Sequence, residues 1–150
     1  MILEPTTASP AEIYEVGNGG GIDSIDPCSS HTVINDPTRN FNYTQAAGVC
    51  DDSPLFTTSI GGRWIRFLGS GGTLLSSIIL QHNRCGAYLP IWSNVTLPTI
   101  VNTITNGSVC FYHPHFLCIE LSGTSVIKCT DFYAYFLPPV TLCKSRYCTV

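Results

Sequence analysis

Residues 110 to 118 read CFYHPHFLC, two cysteines enclosing two histidines and a proline, and they are the densest set of groups in the chain able to do chemistry. Three chemistries fit these residue types. The thiolates and imidazoles could ligate zinc, one thiolate beside an imidazole could serve as a nucleophile with its base, or the two cysteines could be joined as a disulfide. His113 and His115 stand two apart, as residues on one side of a strand do, but Pro114 between them removes a backbone donor and fixes φ, which disfavours a regular strand. The other cysteines, at 28, 50, 85, 129, 143 and 148, supply no pair of the short CxxC-type spacings that let two sulfurs reach one ion. Eight cysteines, an even number, indicate a disulfide framework formed in an oxidising compartment, where a single reduced nucleophile is out of place. Residues 110–118 are therefore read as a stapled loop, whose closure removes about 2.6 kcal/mol of entropy from the unfolded chain, against about 4.7 kcal/mol for a loop near 100 residues.

No other catalytic template is present. The chain lacks G-x-S-x-G, H-E-x-x-H and a P-loop, and no lysine follows Gly69-Ser70-Gly71-Gly72 to hold a phosphate, so those glycines are read as a tight turn. Asp51-Asp52-Ser53 lacks the alternating oxygens and distal glutamate of a calcium loop, and reads as a turn or an exposed cap. Trp64, Trp92, Phe67, Tyr133 and Tyr135 read as core. The chain is expected not to be an enzyme and to need no cofactor; the remote alternative is a secreted metal-dependent hydrolase using His113 and His115.

Modification chemistry is better represented. Asn42-Tyr43-Thr44, Asn94-Val95-Thr96 and Asn106-Gly107-Ser108 are acceptors for N-linked glycans. Charged residues make up 11% of the 150, well below the quarter or so of an ordinary soluble domain, and no charge occurs between Cys85 and Ile119. Two of the acceptors, Asn94 and Asn106, fall in that charge-free stretch, where sugar hydroxyls would supply the hydration that ions do not. Residues 1–52 carry eight acids and only Arg39, whereas residues 53–150 carry six bases and two acids. No basic stripe suited to nucleic acid results. Pro90, Asn94, Pro98, Asn102, Asn106 and Pro114 break the charge-free stretch, so no membrane span is expected. The opening MILEPTTASP offers no apolar core of a secretory signal, so the oxidising compartment is inferred from the cysteines alone.

The elements that must position these groups are short. Residues 1–25, rich in Thr, Ser, Pro and Gly, are expected to be a flexible leader, with one domain over 26–150. Apolar runs rich in β-branched and aromatic residues occupy 63–68, 73–80, 87–92, 108–112, 116–121, 125–129 and 132–137. None sustains a helical period. The expected fold is mainly β, or α+β: a small disulfide-stapled domain of short strands and long loops. Leu121-Ser122-Gly123-Thr124-Ser125 is expected to reverse the chain as a hairpin, with Gly123 at positive φ.

Taken in order, Asp26-Pro27-Cys28, Val49-Cys50-Asp51, Arg63-Trp64-Ile65-Arg66-Phe67 with Gly69-Ser70-Gly71-Gly72, Trp92 to Pro98, Tyr133-Ala134-Tyr135-Phe136-Leu137 and Cys143-Lys144-Ser145-Arg146-Tyr147-Cys148-Thr149 resemble the eight-cysteine domain of the uromodulin family. The resemblance covers about residues 26 to 149. Ten-cysteine members of that family carry two further cysteines at the places of Ile79 and Leu117, which pair with each other, and their joint absence here leaves no odd thiol. Eight cysteines allow 105 pairings, and from these the resemblance selects Cys28 with Cys129, Cys50 with Cys143, Cys85 with Cys148 and Cys110 with Cys118. It also implies an extracellular, secreted or cell-surface module of a larger mosaic glycoprotein, with an adhesion or structural role and often accompanied by a zona pellucida module. Its implied partners are other extracellular domains or proteins. Alternatively, its N-glycans serve as decoys for mannose-specific bacterial lectins. Some relatives bear a glycan just after the Tyr-x-Tyr element, where Phe136-Leu137-Pro138 here offers no acceptor.

Overall fold

A computed structural model describes residues 26–46, 50–51, 55–113, 115–141 and 144–150, with His113, Phe116 and Leu117 described for their backbone alone. The leader expected over residues 1–25 lies outside them. The described residues form seven strands and one short 3-10 turn at Pro37–Arg39, the mainly β fold that the apolar runs indicate. The strands are β1 (Thr32–Ile34), β2 (Arg63–Phe67), β3 (Leu89–Ser93), β4 (Ile104–His113), β5 (Phe116–Lys128), β6 (Tyr133–Leu137) and β7 (Ser145–Tyr147). They make one sheet in the order β1-β2-β6-β5-β4-β3-β7. Its central pairings are antiparallel, and the outermost pairs at both edges, β1 with β2 and β3 with β7, are parallel.

Alternation along the strands gives the sheet two different faces. Ile65, Phe67, Ile91, Val109, Val126, Tyr135, Leu137 and Tyr147 all enter one core cluster, completed by Phe56, Leu75 and Val140 from the connecting segments. The opposite face carries two smaller clusters at its flanks. Trp92, Cys85, Cys110 and Cys148 gather with Leu80 and Ala87 near β3 and β7, and Ile127, Cys129 and Ala134 gather with Cys28, Trp64 and Phe132 near β2 and β6.

Two expectations are corrected. The stretch 121–125 does not reverse the chain: β5 runs unbroken from Phe116 to Lys128, longer than the apolar runs on either side suggest. Gly123 does have positive φ, +93°, but as the extra residue of a bulge, since Gly107 pairs with Thr124 while Ser108 pairs with Ser122. The bulge resets the alternation, so that Thr124 turns into the protein at 1% exposure while Ser122 stays exposed. The run 73–80 is likewise not a strand. It crosses the β7 edge, where Leu75 makes one isolated bridge with Thr149 and the Ser76 amide donates to the Cys148 carbonyl at 2.9 Å. Gly71 lies so close to the Asp36 backbone that a Cβ would sit 2.4 Å from its carbonyl oxygen, so the Gly69–Gly72 segment serves chain packing.

Candidate functional site

The CFYHPHFLC loop is the tip of the β4–β5 hairpin. β4 ends at His113, which pairs with Phe116, and Trp92, Cys110 and Glu120 stand in register across three strands. Cys110 and Cys118 are joined, with Cα atoms 5.0 Å apart, so neither sulfur is available to a metal or as a nucleophile. His115 is exposed at the tip. Among the described residues no three His, Cys, Asp or Glu side chains converge in a geometry that could hold a metal ion.

Two further bridges lie on the same side of the sheet. Cys28 joins Cys129 across 101 residues and Cys85 joins Cys148 across 63. Each sits within a flanking apolar cluster, so cross-links and small cores reinforce the same two regions. The Cys50 sulfur accepts from the Lys144 amide at 2.6 Å; Cys143 lies outside the described residues.

All three glycan acceptors are exposed. Asn42 is on a turn in which its amide donates to the Asn40 side-chain oxygen at 2.9 Å. Asn94 and Asn106 are neighbours. Beyond β3 the chain continues alongside β4: the Asn94 amide donates to the Ser108 carbonyl at 2.9 Å, and the Thr105 hydroxyl donates to the Thr96 carbonyl at 2.6 Å. Continuing the β3–β4 register therefore sets Asn94 opposite Ser108 and Thr96 opposite Asn106, so both acceptor triplets direct their Asn and hydroxyl side chains to one face. Gly107 makes this approach possible, since a Cβ there would lie 2.8 Å from Val95 Cγ2. The Ser125 hydroxyl donates to Asn106 Oδ1 and the Ser108 hydroxyl to Glu120 Oε2, both at 2.7 Å, so the middle of this face is polar between the two apolar flanks.

A buried ionic clamp holds the β7 edge. Asp51, read from the sequence as part of a turn or an exposed cap, does lie on a turn, but it is 1% exposed and so no exposed cap. Arg39 donates to both of its carboxylate oxygens at 2.7 Å, and the Tyr147 amide donates to Oδ2 at the same distance. Next to it Arg146, 1% exposed, donates to Asp36 Oδ2 at 2.5 Å and to Thr38 Oγ1 at 2.9 Å. Burial pushes the Asp36 carboxyl up, but hydrogen bonds from the Thr38 hydroxyl and amide, with the Arg146 charge, outweigh it and hold the group below the usual carboxylate range. Burial also pushes the Tyr147 phenol far above its ordinary value. Sequence reading missed this clamp because its partners are up to 110 residues apart and charged side chains are read as solvated. Only the presence of single basic residues among so few charges hinted at it.

Comparison with known proteins gives one consistent result. Residues 65–149 match the family described as the uromodulin-like domain. The pancreatic secretory granule membrane major glycoprotein GP2 of Canis lupus familiaris is 31% identical over 147 residues, which is 96% of this chain and 27% of that protein. The proteins of the same name from Rattus norvegicus and Homo sapiens are each 31% identical, over 83% and 84% of this chain respectively. The chain thus spans about a quarter of the length of the curated relatives it matches.

Proposed function

The chain belongs to the uromodulin-like domain family, and from that premise we propose that it is a non-enzymatic, extracellular, N-glycosylated module of a larger glycoprotein, with an adhesion or structural role. The observation that carries this is the placing of the acceptors: Asn42, Asn94 and Asn106 are all exposed, and two of them share one sheet face between disulfide-reinforced flanks. The relatives are glycoproteins by name. The fourth cross-link of the module is Cys50 with Cys143, a pairing supported by the position of the Cys50 sulfur against the amide of Lys144. Non-reducing peptide mapping tests it, and Cys50 found with any other cysteine refutes it. Its partners are other extracellular domains or proteins.

Glycans at Asn94 and Asn106 would also hydrate apolar surface. Ile104 lies on the Asn106 side of β4 at 49% exposure, and Ile100 and Val101 in the preceding loop are 69% and 43% exposed. Secreted protein with both Asn94→Gln and Asn106→Gln is expected to aggregate where the wild type is monodisperse by size exclusion. A monodisperse double variant removes the solvating role. Exposed Asn94 also favours a second reading, a soluble decoy whose mannose-type glycans occupy bacterial adhesins. Mannose-blockable binding of fimbriated bacteria supports that reading, and binding unaffected by mannose excludes it.

A further inference from the structure

The three acceptor triplets differ in what the fold does to their chemistry. Each needs its Asn amide and, two residues on, the hydroxyl that the Ser or Thr of the triplet supplies. In the Asn42 and Asn94 triplets the hydroxyl residues, Thr44 and Thr96, are exposed. In the Asn106 triplet both groups are taken up by β5. The Ser125 hydroxyl donates to Asn106 Oδ1 and the Ser108 hydroxyl donates to Glu120 Oε2, both at 2.7 Å, and Ser108 is only 9% exposed. The backbone is held as well: Asn106 pairs with Ser125 and Ser108 with Ser122 on the β5 side, while the segment from Asn94 to Thr96 bonds to β4 on the other. A finished sheet therefore offers an enzyme neither the hydroxyl of this triplet nor a free strand to grip.

We infer that Asn106 is a conditional acceptor, glycosylated only in chains whose β4 has not yet paired with β5, so that its occupancy records a race between sugar transfer and hairpin closure. In the transfer Asn106 Nδ2 bonds to the anomeric carbon of the oligosaccharide, the bond from that carbon to the pyrophosphate oxygen of a lipid-linked donor breaks, and the amide proton passes to a base of the transferase, leaving the lipid pyrophosphate. The roughly 20 residues from Asn106 to the end of β5 take about 1–4 s to synthesise. Once β5 is present a hairpin forms in microseconds, and the bridge between Cys110 and Cys118 then holds it shut. Asn42 and Asn94 keep their triplet hydroxyls at the surface after folding and escape this limit. Sugar that arrives in time does not prevent closure, because the contact with Ser125 uses Oδ1 of an exposed Asn106 and leaves Nδ2 to the glycan. The inference rests on the glycosylated-module reading for bringing the chain to the transferase.

The test expresses the full chain in secreting cells and recovers it from cells and medium together. Peptides are deglycosylated in heavy-oxygen water, and mass-spectrometric fragmentation localises and quantifies occupancy at Asn42, Asn94 and Asn106. In the wild type Asn106 is expected to be partly occupied and Asn94 more fully. Two variants hold the hairpin open: Cys110→Ala with Cys118→Ala removes the staple, and Val126→Pro sets a proline in β5 opposite Thr105. Each should raise Asn106 toward the level of Asn94 while Asn42 and Asn94 stay as they were. Transfer precedes the completed fold, so a variant that fails to fold still reports its occupancy. Asn106 as fully occupied as Asn94 in the wild type, or occupancy of Asn106 unchanged in both variants, overturns the inference. Empty Asn42 and Asn94 refute the glycosylated-module reading, whereas the race is judged by Asn106 alone, so the two proposals fail separately.

Discussion

Arg39 and Asp51 meet where water has almost no access, and the bidentate contact is completed by the Tyr147 amide and carbonyl. Breaking one half of such a pair leaves an uncompensated buried charge, so Asp51→Ala is expected to cost about 3–5 kcal/mol, read as a lowered urea midpoint. Replacing both partners, as in Arg39→Met with Asp51→Leu, should cost less than the single change, because no charge is then stranded. Asp36 gives the clamp a pH dependence. Its folded pKa lies below the ordinary value of 3.8, so its contribution is present above that value and is lost as pH falls through the depressed one. Thermal scans of the wild type should therefore lose stability below about pH 4, with a shallower loss in Asp36→Asn. These residues were not legible in the sequence. Nothing local marks Arg39 or Arg146 as buried, and Asp51 in a run of two acids looks solvated until β7 closes over it.

The long β4–β5 pair is the element on which acceptor placement depends. Its arms were legible because Val109, Phe111, Ile119, Leu121 and Val126 belong to dense β-branched and aromatic runs. The short edge strands β1 and β7 were not, since three residues are too few to carry a periodic signal and β7 has a buried arginine at its centre. Gly123 signalled positive φ correctly but could not say whether the chain reverses there. That depends on the partner strand, where Gly107 and Ser108 continue past the bulge. Gly107→Ala should force Val95 away from β4 and cost about 1–3 kcal/mol by overpacking. Because the acceptor triplet keeps its Asn106 and Ser108, glycan occupancy by mass spectrometry should be unchanged while the melting temperature falls.

On the scale of the whole molecule, the cysteines and acceptors, visible in the sequence as types and spacings, marked a cross-linked module with exposed glycan acceptors, while the two-faced sheet that arranges them rests on long-range pairing. The bridges differ in what they constrain. Cys28 with Cys129 closes a far longer loop than Cys110 with Cys118. Replacing the first pair by alanines should cost about 4–5 kcal/mol and the second about 2–3 kcal/mol in the chain-entropy account, measured as the shift in denaturant midpoint. An equal loss for the two pairs would show that strain or local packing, and not chain entropy, sets their contributions.

The wiring also dictates a timetable. A chain entering an oxidising lumen amino end first exposes Cys28 and Cys85 while Cys129 and Cys148 are still being synthesised, whereas Cys110 meets Cys118 only eight positions later. The hairpin staple can thus be finished during translocation, but the early thiols must wait, open to wrong partners. Under the extracellular role proposed above, secretion of this domain is consequently expected to depend on disulfide isomerase, and its yield to be limited by reshuffling and not by the speed of strand pairing.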